Sequence, residues 1–193
     1  ILIDSNVPYA DIIKATMEMI LLDQSDIISE MRIDRLLDKN VRKEEILRSA
    51  KHINGNFKKN YAALYFKMDN ITYEKERFLR SDLKGINEFE SLKYKNGILV
   101  IINFDKLRIF DSHVAYIINL INRYSSGYKI GVSNIFSKID NFHHCIRQAM
   151  SSFEISRIID DTVVHYKDLN VYKILYPLKE TYHIKDFYNE IFF

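Results

Sequence analysis

The sequence predicts an α+β domain, and three stretches carry that expectation. Asn60 to Met68 (NYAALYFKM) is a continuous apolar and aromatic run of strand length. Phe89 to Tyr94 and Ile98 to Phe104 are two further strand-like runs, joined through Lys95-Asn96-Gly97. Asn-Gly between such runs is the strongest short hairpin signal. From Tyr128 to Leu175 a short β-type run, a long helical pattern and a β-branched run follow one another. In order, these stretches and the segments between them give strand, helix, hairpin, helix, strand, helix, strand. A β-α-β-β-α-β core is ferredoxin-like in plan. We expect an antiparallel sheet with helices on one face, preceded by an N-terminal helical segment.

Pro8 can start a helix at its first turn. Tyr9 to Leu22 then shows a broad apolar face of Ile12, Ile13, Met17, Ile20 and Leu21. Ser25 is a candidate N-cap for a second helix marked by Ile27, Ile28, Met31, Leu36 and Leu37. Asp38 to Val41 reads as a break, and Arg42 to Ile53 as a third helix stopped by Asn54-Gly55. These helices either pack on the domain that follows or form a signalling or dimerisation pair. The apolar residues from Ile12 to Leu37 hold no strict heptad, so a long coiled coil is not expected.

Tyr73 to Leu83 is a charged helix with Phe78 and Leu79 inward, closed by Gly85. Asp111-Ser112 can cap a helix from His113 to Tyr124, whose apolar face is Val114, Ile117, Ile118 and Ile121. Tyr128 to Ser133 is a short strand, and Lys138 to Ile159 a helix with Phe142, Ile146, Ala149 and Phe153 on one face. Thr162 to Tyr166 is β-branched and aromatic, hence strand-like. Lys167 to Leu175 is helical, Pro177 interrupts, and Ile184 to Phe192 forms a last helix. The expected division is 1–55, a helical signalling segment; 56–176, the α+β domain; and 177–193, a helical extension.

A chain of 193 residues suits one domain, or one with an appendage. Hydrophobic residues make up 47%, enough for a real core and too many for a disordered chain. The net charge of +2 does not by itself indicate a nucleic-acid groove or a membrane patch. Cys145 is the only cysteine, so no intramolecular disulfide can form, and a cytoplasmic location is expected. No apolar run reaches the roughly 20 residues of a membrane helix. The chain opens on Ile1 and closes on the apolar Ile191-Phe192-Phe193, so it is expected to be part of a longer protein.

Gly131-Val132 after a short strand, Ile139-Asp140, Phe142, Arg147-Gln148-Ala149, Ser156-Arg157 and Val163-Val164-x-Tyr166-x-x-Leu169 form an ordered pattern. It resembles the degenerate GGDEF-like middle domain of PucR/CdaR-type bacterial transcription regulators, over roughly residues 45 to 193. The resemblance implies a regulatory domain that couples a signal to DNA binding as a homodimer. It also implies that DNA is contacted only through a C-terminal helix-turn-helix, which is absent from these residues.

Active domains of the GGDEF type need a Gly-Gly-acid turn, Mg²⁺-binding carboxylates at the end of the first strand, and basic residues for a triphosphate. Here the turn is Tyr94-Lys95-Asn96-Gly97, with one glycine and no acid. Asp69 stands alone at the strand end, and Lys67 lies where a second carboxylate would be wanted. We therefore expect no catalysis, no catalytic residue, no cofactor and no metal. His143-His144-Cys145 is the only conspicuous cluster of ligand types, but consecutive helical residues diverge and should not share a metal. Cys145 is expected to be a buried thiol and Asp160-Asp161 a helix stop. Arg123, Lys129, Arg147 and Arg157 are solvated charges, or a modest anion-binding face. Tyr61 and Tyr65 share one strand face and should pack under a helix.

The function expected is a non-catalytic signal-coupling and oligomerisation domain of a transcription regulator. The alternatives are a sensor module with a small-molecule effector and, less favoured, a divergent nucleotidyl cyclase. No membrane partner is expected.

Overall fold

A computed structural model describes residues 9–38, 40–53, 55 and 57–178. Five strands form one sheet: β1 (Asn60–Met68), β2 (Phe89–Tyr94), β3 (Gly97–Phe104), β4 (Tyr128–Val132) and β5 (Val163–His165). Its order is β2-β3-β1-β4-β5. The β2-β3, β3-β1 and β1-β4 pairs are antiparallel, which is the ferredoxin-like arrangement. The α+β class therefore holds.

Two details of the expected sheet differ. β5 pairs parallel to β4, so the sheet is mixed rather than antiparallel. The reason is α5 (Phe142–Ile158), which carries the chain back along the sheet before β5 starts, and a crossover of that kind returns a parallel strand. Helices also cover both faces, not one. β1 shows no alternation: Ala62, Leu64 and Phe66 face one way, Tyr61, Ala63 and Tyr65 the other, and all six are buried. A strand apolar on both sides has to be covered on both sides. The helices α3 (Tyr73–Lys84) and α4 (Phe110–Tyr124) fill the first face with Leu79, Leu83, Val114, Ile117 and Ile121. The second is covered by α5 and by two N-terminal helices, α1 (Tyr9–Leu37) and α2 (Lys43–Ile53), through Ile33, Leu36, Ile46, Ala50 and Ile53.

The first two helices expected from sequence are one. Ser25 lies inside α1 and caps nothing, because no glycine or proline separates Leu22 from Ile27. The C-terminal end of α1 is satisfied by Arg147, whose guanidinium donates to the Leu37 and Asp38 carbonyls at 2.7 and 2.9 Å. The α4 helix opens at Phe110, behind a 3₁₀ turn at Leu107–Ile109, with no side-chain cap from Asp111 or Ser112. A further 3₁₀ turn, Ile139–Asn141, precedes α5. The last described helix, α6 (Tyr172–Leu178), runs through Pro177. The helix expected from Ile184 to Phe192 lies outside the described residues.

The hairpin closes on a two-residue loop, with Tyr94 paired to Gly97. Lys95 and Asn96 both take positive φ, 44° and 58°, the primed turn that matches strand twist. Gly97 serves another purpose. A Cβ there would sit 2.6 Å from the Tyr65 hydroxyl and 2.7 Å from the Phe66 carbonyl oxygen. The glycine lets β3 pass close beneath the Tyr65 ring.

Candidate functional site

The end of β1, the hairpin tip and the adjoining faces of α1 and α5 meet at one place. Lys67 extends over the Phe153 ring, 5.6 Å from its centroid, in a cation–π contact. Directly across the strand pair stands Lys129. Like charges in opposed positions repel, and Lys129 is relieved by Asp160 at 2.6 Å. Two ammonium groups thus lie side by side on this sheet surface. Asp69 is exposed, its carboxylate lying over Gly127.

The hairpin tip is held from two sides. The Tyr65 hydroxyl donates to the Tyr94 and Lys95 carbonyls at 3.0 and 3.2 Å. From above, α1 presents Asp26, Glu30 and Asp34, one every four residues and so roughly on one side of the helix. Asp34 accepts from the Tyr94 hydroxyl at 2.7 Å, and Glu30 from the Lys95 N–H at 3.3 Å. Asp26 takes both terminal nitrogens of Arg80 on α3, at 2.5 and 2.7 Å. Burial, and then the neighbouring acids, push the Tyr65 and Tyr94 hydroxyls well above the usual phenol range, so both stay protonated donors. The acids at this place bind the protein's own hairpin and its own arginine.

The remaining expected residues are dispersed. His143 and His144 do not diverge as expected: their ring centroids lie 3.9 Å apart, because the two side chains lean together at the start of α5. Burial lowers both pKa values, and the His143 Nδ1 is buried without a partner. Among the described residues no three His, Cys, Asp or Glu side chains come together in a set that could hold a metal. Cys145 is fully buried, 3.3 Å from the Ser133 hydroxyl, and burial pushes its thiol up to about 12. Asp160 has φ 56° and terminates α5. Arg147 is committed to α1, Lys129 to Asp160 and Arg157 to Glu154, so with Arg123 they form no common anion-binding face. Tyr61 packs against Phe142, and Tyr65 edge-on against Phe153, both rings of α5.

The acidic side of α1 was the site feature that sequence reasoning missed. Its signal, carboxylates at positions 26, 30 and 34, was present but masked by dividing the helix at Ser25. Cavities of about 160 and 350 Å³ open at the two sheet edges, beside β2 and β5. The first is lined by Asp26, Arg32, Arg80 and Glu90, the second by Val163, His165 and Asp168.

Fold and site together define an α+β domain of ferredoxin-like plan, extended by one parallel strand and latched to an N-terminal helix. No protein-family profile and no curated protein matches the chain. Among solved structures, it is similar to a regulator of polyketide synthase expression from Bifidobacterium adolescentis. The identity is 14% and the TM-score 0.39, over 64% of this chain and 55% of that one. The chain thus spans about half the length of that regulator. Among the described residues, no helix is long and apolar enough to cross a membrane.

Proposed function

We propose that this chain is a non-catalytic signal-coupling domain of a PucR/CdaR-type transcription regulator. It works as a homodimer and reaches DNA only through a separate C-terminal helix-turn-helix. The supporting observation is the Lys67–Lys129 pair across β1 and β4, beside a hairpin whose tip is held by Glu30 and Asp34 of α1. A helix attached in this way to the sheet can pass a displacement from upstream into the domain. In such a domain the catalytic pocket has become a mechanical joint.

The reading frame beyond Phe193 tests the DNA-binding half of this reading. Two further helices joined by a short turn, the second rich in Arg and Lys, are expected. A frame that closes without them contradicts the regulator and leaves a free-standing binding module. In that case a metabolite screen by thermal shift would follow, since the 350 Å³ cavity beside β5 is large enough for a small ligand.

A further inference from the structure

Five exposed apolar side chains of α1 fall on one heptad frame. Ile13, Met17, Ile20, Ile27 and Met31 are each about half to two-thirds exposed, and with Gln24 they fall at alternating steps of four and three. The whole apolar set from Ile12 to Leu37 keeps no heptad, because it mixes two faces. Ile33 and Leu36 are buried against the chain's own sheet, and the heptad set lies on the other side of the helix. Leu21 and Ile28, at 62% and 48% exposure, flank the set and widen it. Together these seven side chains expose on the order of 700 Å², more than a monomer commonly leaves in one patch and close to one partner's share of a stable interface.

We propose that α1 joins the α1 of a second copy as a parallel, in-register, two-stranded coiled coil. The proposal deepens the homodimer of the proposed function by giving its surface, and it rests on that reading only for the stoichiometry. A period of 3.5 residues keeps the seam in contact only when the partner helix supercoils with it, and a second α1 meets that requirement. Gln24 fixes the direction. In a parallel pair its amide lies opposite the same amide of the other copy, whereas an antiparallel pair of the same overlap sets it against an isoleucine. The seam ends where Asp34 takes the next heptad position and is bound to Tyr94. Isoleucine at Ile13, Ile20 and Ile27 suits three or four strands, and the single polar layer at Gln24 is what sets register and strand number against them.

Light scattering of the full chain at tens of micromolar should give twice the chain mass. Substituting Ile20→Glu and Ile27→Glu together should return it to the monomer with an unchanged near-ultraviolet circular dichroism signal. Gln24→Cys should oxidise to a covalent dimer at least tenfold faster than Ser25→Cys, a neighbouring exposed position; Cys145 is buried and does not compete. A monomeric wild type removes both the coil and the homodimer. A dimer that survives the double substitution leaves the homodimer standing and overturns this surface. Equal oxidation at positions 24 and 25 overturns the parallel register, and a mass of three or four chains overturns the strand number.

Discussion

A methyl group on Gly131 would collide with the backbone of Ala149 and Phe153, so α5 lies directly on β4 at this residue. Neither neighbour can yield by changing a rotamer. Gly131→Ala should therefore destabilise the fold by roughly 3 kcal/mol, at the upper end of overpacking costs, as measured by urea denaturation. Cys145 should not react with an aromatic disulfide reagent at pH 8 in the native state and should react at once in denaturant, since its thiol is fully buried with a pKa near 12. Acid titration gives a third outcome at this scale. His113, His143, His144 and His165 all have pKa values lowered from 6.5, chiefly by burial. The unfolded chain then binds more protons than the native one as pH falls through 6.5, so stability should decline from about pH 7 downward. This window lies well above that of Glu88 and Asp160, whose lowered pKa values start from 4.5 and 3.8. A melting temperature that stays level between pH 7 and 5.5 would contradict the lowered pKa values of these imidazoles.

At the scale of elements, α1 is the part with two allegiances. Its C-terminal half is attached to the sheet by Ile33 and Leu36, to the hairpin by Glu30 and Asp34 and to α3 by Asp26, while its outer face is apolar and exposed. The Asp26–Arg80 pair is its most buried polar attachment, with side chains 18% and 14% exposed. Asp26→Ala should cost about 3 kcal/mol, because it leaves a mostly buried guanidinium without its bidentate partner, and a double-mutant cycle with Arg80→Ala should recover part of that loss. The strands and the hairpin were legible in the sequence because β1, β2 and β3 are long apolar runs with a sharp turn between them. The second covered face was also written in β1, where Tyr61 to Phe66 lack alternation, but only the strand signal was drawn from it. The turn lies where it was expected, at Tyr94-Lys95-Asn96-Gly97, but Lys95 and Asn96 carry the positive φ while Gly97 makes room for Tyr65. That distinction depends on a ring brought in from a strand thirty positions away and has no local signal. The α1 latch was hidden for a similar reason, since its partners Arg80, Tyr94 and Lys95 are supplied by other elements.

For the whole molecule, the account joins a ferredoxin-like sheet to a helix that holds the hairpin. Lys67 over Phe153, Lys129 opposite it, and the turn bound by Glu30 and Asp34 put two cations and a tethered hairpin at the end of β1. The central claim of the proposed function is that the domain does not handle a nucleoside triphosphate. The direct measurement is incubation of the full chain with GTP and Mg²⁺, followed by chromatography for nucleotide products, with the melting temperature recorded with and without the nucleotide. The account predicts unchanged GTP, no cyclic dinucleotide and an unshifted melting temperature. Formation of a cyclic dinucleotide, or a shift of several degrees on adding Mg²⁺-GTP, would contradict it.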